Sequence, residues 1–118
     1  MQTWTSIRER YLKDDVSVRL GGLAANLLRI SSYADRPEHE EVVSRLVRES
    51  ALFIEWTASD VDAERLVELA RLQRELAAWH RDWSAVWGEA PARVALARGA
   101  KAWSDRVLEL SGLTAREA

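Results

Sequence analysis

The chain predicts an all-α fold: an antiparallel up-down-up-down four-helix bundle with a short additional N-terminal helix. Three observations predict it. Ala, Leu, Arg and Glu dominate the composition, and all four are good helix formers. Only five glycines and two prolines occur in 118 residues, too few punctuators for a many-turned β protein. Apolar residues recur every three or four positions in four long stretches separated by short breaks. The length suits one hydrophobic core, so residues 1–118 are read as a single domain.

The first helix spans 4–13. Ser6 with Glu9 has capping-box spacing, Thr3 is an alternative cap, and Trp4, Ile7 and Tyr11 form an apolar side. Asp14 and Asp15 break it and cap the second helix. That helix runs from Val16 to Tyr33 on Leu20, Leu23, Ala24, Leu27, Leu28 and Ile30. Gly21 and Gly22 lie inside it. Each costs about 1 kcal/mol against alanine, so the pair marks either a kink or the close approach of another element, with a bulky indole as the natural neighbour. Asp35 caps the third helix, which runs from Pro37 to Thr57 with Val43, Leu46, Val47, Ser50, Phe53, Ile54 and Thr57 inward. Glu41, Arg45 and Glu49 line its solvated side at four-residue spacing.

The fourth helix is the longest, from Asp60 to Trp87, with Ser59 and Asp62 supplying cap chemistry. Its near-heptad pattern places Leu66, Leu69, Ala70, Gln73, Leu76, Ala77, His80, Trp83 and Trp87 inward and leaves Trp79 on the flank, towards Arg71 and Arg74. Gly88 and Pro91 end it. The last helix runs from Pro91 to Ser111 on Leu96, Ala100, Trp103, Val107 and Leu110, and Ser111-Gly112-Leu113 reads as a Schellman stop. At ~1.5 Å per residue the fourth helix reaches about 40 Å against about 30 Å for its neighbours. It must either overhang the bundle or kink.

Several function classes are bounded by composition. The absence of cysteine removes disulfides, thiolate metal sites and a cysteine nucleophile. No apolar run approaches the roughly 18 residues of a membrane span, and the first residues carry charge where a secretion signal needs an apolar stretch, so a cytoplasmic chain is expected. The net charge is −2, and the acidic excess sits in residues 35–75, with eleven acidic against six basic groups. That is not the basic footprint of a nucleic-acid binder. Walker, GxGxxG, GxSxG and SxxK patterns are absent. No catalytic, cofactor-binding or metal-ligating residue is assigned, and an enzyme is not expected. Glu38-His39-Glu40-Glu41 is read as acidic groups favouring the first turn of a helix rather than a metal set. His80 is read as an ordinary boundary histidine, with axial ligation of a flat tetrapyrrole as its functional alternative.

The tryptophans carry the functional expectation. Six occur, and Trp79, Trp83 and Trp87 stand at i, i+4 and i+8. Indoles fill cores, but indoles and arginines are also enriched at interface hot spots. Trp79, Trp83, Trp87, Arg71 and Arg74 are therefore the candidate interaction residues. Trp83 and Trp87 follow the inner register, which makes Trp79 the first candidate for contact.

The stretches Phe53-Ile54-Glu55-Trp56, the Trp79 and Trp83 pair, and Trp103-Ser104-Asp105 leading to Ser111-Gly112-Leu113 give the chain a pattern that resembles small uncharacterised all-α proteins of photosynthetic bacteria. The resemblance spans most of the chain. It implies no activity and transfers no site residue. The expectation is a non-enzymatic interaction or regulatory module that self-associates, or binds a protein partner, through its Trp-bearing helix. The alternative is a small binding protein for a flat hydrophobic or tetrapyrrole-like ligand beside His80.

Overall fold

The computed structural model describes residues 3–113, and among them it is all-helical, with no strand. Helix α1 is Trp4–Tyr11, α2 Val16–Tyr33, α3 Glu40–Thr57, α4 Ala63–Arg81, α5 Trp83–Gly88 and α6 Ala90–Ser111. Single 3₁₀ turns at Pro37–His39 and Ala58–Asp60 lead into and out of α3. No helix among the described residues is long and apolar enough to cross a membrane.

Short polar side chains start three of the helices by satisfying the first free N–H groups. Thr3 accepts from the amide of Ser6, Asp15 from that of Val18, and Asp62 from that of Arg65. The Asp35 cap does not form. Arg36 holds the N-cap position of the 3₁₀ turn without a side-chain bond, and Pro37 begins that turn, where its missing N–H costs nothing. At the far end Gly112 adopts φ 76°, the left-handed stop expected after Ser111, and its N–H bonds to the carbonyl of Glu109.

Helix α2 is the central element. Leu20, Leu23, Leu27 and Ile30 are fully buried between α3 on one side and α6 on the other, whereas Leu28, expected on the same face, lies about a quarter-turn off it and is exposed. Burying each stabilises the fold by about 1.5–3 kcal/mol. Asn26, 2% exposed, donates to Glu49 of α3 at 2.9 Å, and Ser104 of α6 donates to the carbonyl of Ala24 at 2.7 Å. The helix continues unbroken through Gly21 and Gly22, so they mark close approach and not a kink. The neighbour at Gly21 is Leu113, within 2.8 Å of where a Cβ would stand. The glycine set against an indole is Gly99, 3.3 Å from the Trp79 ring on the same measure.

The long helix expected from Asp60 to Trp87 is two helices. Asp82, at φ −101° and ψ 28°, ends α4 through its N–H on Ala78 and starts α5 through its carbonyl, which accepts from Ala85 and Val86. The break turns α5 back over the start of α3. There the Trp87 indole donates to the carbonyl of Pro37 at 3.2 Å and the Trp83 indole donates to Glu40 at 3.0 Å. The two rings stack at 5.4 Å and 13°. Kinking, not overhang, resolves the length mismatch.

Tyr11 joins α1 to this scaffold. Its ring stacks on Phe53 at 3.9 Å, and its hydroxyl donates to the carbonyl of Arg19 at 2.7 Å. Burial pushes the phenol up to about 12, against the smaller opposing effects of Thr57 and Arg19. An unfolded tyrosine ionises near pH 10. Since the folded state holds the proton longer, stability is unaffected below about pH 10 and falls as pH rises from there towards about 12, by roughly 2–3 kcal/mol. Urea midpoints measured at pH 8 and pH 11.5 should show this loss, and Tyr11→Phe should remove that share of it.

Candidate functional site

The packing register of α4 decides which face is free to act. Leu69, Leu72, Leu76 and Trp79 are its buried residues. Leu66, Ala70, Ala77 and His80, expected inward, are exposed. The buried stripe is therefore centred about 100° round the helix from the stripe formed by Leu66, Ala70, Gln73, Ala77 and His80. Both stripes have helical spacing, and only one can face the core. The larger apolar side chains take it: three leucines and an indole remove more apolar area from water than one leucine, two alanines, a glutamine and a histidine.

Trp79 is thus a core residue, 9% exposed, seated on Gly99 of α6 rather than leaning towards Arg71 and Arg74. Trp87 is also buried, at 5%, under the guanidinium of Arg93, which lies 5.7 Å from its ring. Trp83 is half-buried. Arg71 and Arg74 are exposed, and Arg71 pairs with Glu68 at 3.5 Å. The five candidate residues do not form one patch: two indoles are inside, one borders a cleft, and the two arginines lie outside the buried face.

The free stripe of α4 lies against α3. The side-chain amide of Gln73 donates to the carbonyl of Ala51 at 3.1 Å, which ties the two helices at mid-length. Beside this tie runs a trench of about 520 Å³ lined by Val47, Ala51, Gln73, Leu76 and Ala77, with Arg48 and His80 at its mouth. Apart from the Gln73 amide, the trench walls are apolar and largely small side chains, the kind of surface another helix approaches closely.

Arg48 and His80 also line a second, polar cleft of about 660 Å³ over the outer side of α3. Trp4 stands at one side of it, Trp83 borders it too, and Glu38, Glu40 and Glu41 lie at the N-terminal end of α3. The guanidinium of Arg45 sits 4.5 Å from the centre of the Trp4 ring, and that of Arg48 5.6 Å. Arg45 is exposed, as its solvated register implies, but that register alone does not show the stacking. The signal that could have found it is the pair Arg45 and Arg48 at i, i+3, which brings two guanidiniums to one side of a helix.

His39 is held by its own surroundings. Its Nδ1 is 3.1 Å from the carbonyl of Tyr33, and its ring meets the Tyr33 ring edge-on at 5.2 Å. Among the described residues no three His, Asp or Glu side chains converge as a metal set. The groups gathered in the trench and cleft are indole faces, guanidinium forks, carboxylates and apolar walls, which are means of recognition. No family profile, curated protein or solved structure matches the chain.

Proposed function

We propose that the protein is a non-enzymatic helical interaction module that self-associates through the outer stripe of α4 and the α3 trench beside it. The observation that carries this reading is the second apolar stripe of α4, left uncovered beside an open trench. Leu66 is 40% exposed, and Ala70, Ala77 and His80 along the same stripe are exposed as well. Contiguous apolar surface on a soluble protein marks an interaction site more often than isolated exposed residues do. A ridge at Leu66 and Ala70 and a trench at Ala77, on one helix, are self-complementary under a two-fold axis near Gln73. The ridge of each copy then enters the trench of the other, and α4 pairs antiparallel with itself.

The scaffold behind this face is read as an up-down-up-down bundle of α2, α3, α4 and α6. Cross-helix pairs support it: Asn26 with Glu49, Gln73 with Ala51, Trp103 with Glu75, Arg106 with Glu68, and Ser104 with Ala24. Between α4 and α6 the residue numbers of the two pairs run in opposite directions, Glu75 with Trp103 and Glu68 with Arg106.

Sedimentation across a concentration series tests the function. Wild-type protein is expected to sediment as a reversible dimer. Ala77→Glu is exposed in the monomer, so it leaves helicity intact. It places an unpaired carboxylate in the proposed interface and should weaken association about a hundredfold. A wild-type chain that stays monomeric at several hundred micromolar contradicts the reading.

A further inference from the structure

We infer that the cleft bordered by Trp4 and Trp83 is a binding site for a flat aromatic carboxylate. The inference does not rest on self-association, although Arg48 and His80 line both cavities; it rests on two features of the cleft.

The first is a pair of arginines held ready and unused. Arg45 and Arg48 both stack on Trp4, and among the described residues neither makes an ion pair. Of the nearby acids, Glu40 accepts the Trp83 indole N–H and Glu49 accepts from Asn26, while Glu41, one turn before Arg45, forms no ion pair with it. A guanidinium stacked on an indole keeps its in-plane N–H donors free, in the fork that matches a carboxylate. The stacking also fixes side chains that otherwise lose rotamer freedom on binding.

The second feature is the Trp83 ring. One face of the Trp83 ring lies on Trp87, and its N–H is committed to Glu40, so what Trp83 offers the cleft is apolar aromatic surface. At about 660 Å³ the cleft falls within the size range of small-ligand sites. Glu38 and Glu41 on its rim disfavour a polyanion. Together these select a planar ring system with a single negative charge over a polyphosphate.

Titration of the full chain with 2-naphthoate tests the site, with 2-naphthylmethanol as the uncharged analogue and ATP as the polyanion. Naphthoate is expected to bind roughly tenfold or more tighter than the alcohol, and tighter than ATP. The double variant R45Q/R48Q should abolish the preference over the alcohol. Both positions are exposed, and far-UV circular dichroism verifies the fold. Trp4→Leu should weaken naphthoate binding with both arginines present. Ala70→Glu, on the proposed dimer ridge and outside the lining of both cavities, should leave it unchanged, which separates this site from the dimer face. Equal binding of acid and alcohol, an unaltered affinity in R45Q/R48Q, tighter binding of ATP, or no binding of naphthoate at millimolar concentration would each overturn the assignment.

Discussion

Trp79→Ala is expected to destabilise the fold by about 3–5 kcal/mol, the range for truncating a buried large aromatic. That is a large part of the roughly 5–15 kcal/mol that holds a typical domain together. The reason is geometric. Trp79 is 9% exposed and fills the space that Gly99 leaves open on α6. Helix backbones relax little to close a space of that size, so most of the lost contact is not recovered. The companion change Gly99→Ala places a methyl 3.3 Å from the same ring and should cost far less, because the ring needs to shift by only a few tenths of an ångström. Urea unfolding of both variants gives the comparison. A loss under about 1 kcal/mol for Trp79→Ala would contradict a core position for this indole.

The second large effect is expected at Arg19. This arginine is 8% exposed, in the first turn of α2. Its Nε donates to the carbonyl of Asp14 and its Nη1 to Asp60, each at 3.0 Å. It therefore clamps the turn between α1 and α2 to the turn after α3, and its own carbonyl receives the Tyr11 hydroxyl. Arg19→Met keeps much of the aliphatic bulk and removes both bonds. It should cost about 2–3 kcal/mol, because the Asp14 carbonyl loses its donor. Asp60→Asn should cost less than about 1 kcal/mol, since the Asp60 side chain is 47% exposed and its charge is well solvated. Thermal melts of the two variants separate these outcomes. Equal losses would mean that the ion pair, and not the clamp on the loop carbonyl, carries the effect.

Helices α2 and α3 are legible from residues alone, because each has one apolar face and short polar residues or proline at its start. The Gly112 stop is legible for a similar reason: glycine tolerates the left-handed backbone that closes a helix. Helix α4 is not. Leu69, Leu72, Leu76 and Trp79 compete with Leu66, Ala70, Gln73, Ala77 and His80 as the inner face, and periodicity cannot choose between two stripes of equal spacing. Packing chooses by volume. The break at Asp82 is equally hidden. Trp79 to Trp87 contains no proline, and the only glycine nearby comes at the end. What turns the chain is tertiary: two stacked indoles and their bonds to Pro37 and Glu40.

The candidate site is half visible for the same reasons. Trp83 stands out in the sequence and borders the cleft, and His80 stands out as one of two histidines and lies at the mouth of both cavities. Trp4 reads only as part of an amphipathic helix, since nothing local says that two arginines about forty residues away will stack on it. Arg19 escapes a sequence reading because a buried arginine is anomalous there and makes sense only once its loop carbonyl is placed.

The proposed pairing of the α4 stripe with its copy about a two-fold axis near Gln73 has a geometry that cross-linking reads. The chain has no cysteine, so single cysteines can be placed without background. Ala70→Cys and Ala77→Cys chains, mixed in equal amounts and oxidised mildly at a concentration where the protein associates, test the geometry directly. An antiparallel α4 pair brings Ala70 of one copy beside Ala77 of the other. The mixed disulfide should then form faster than either symmetric one. Symmetric disulfides in equal or greater yield, or no cross-link at all, would contradict the pairing.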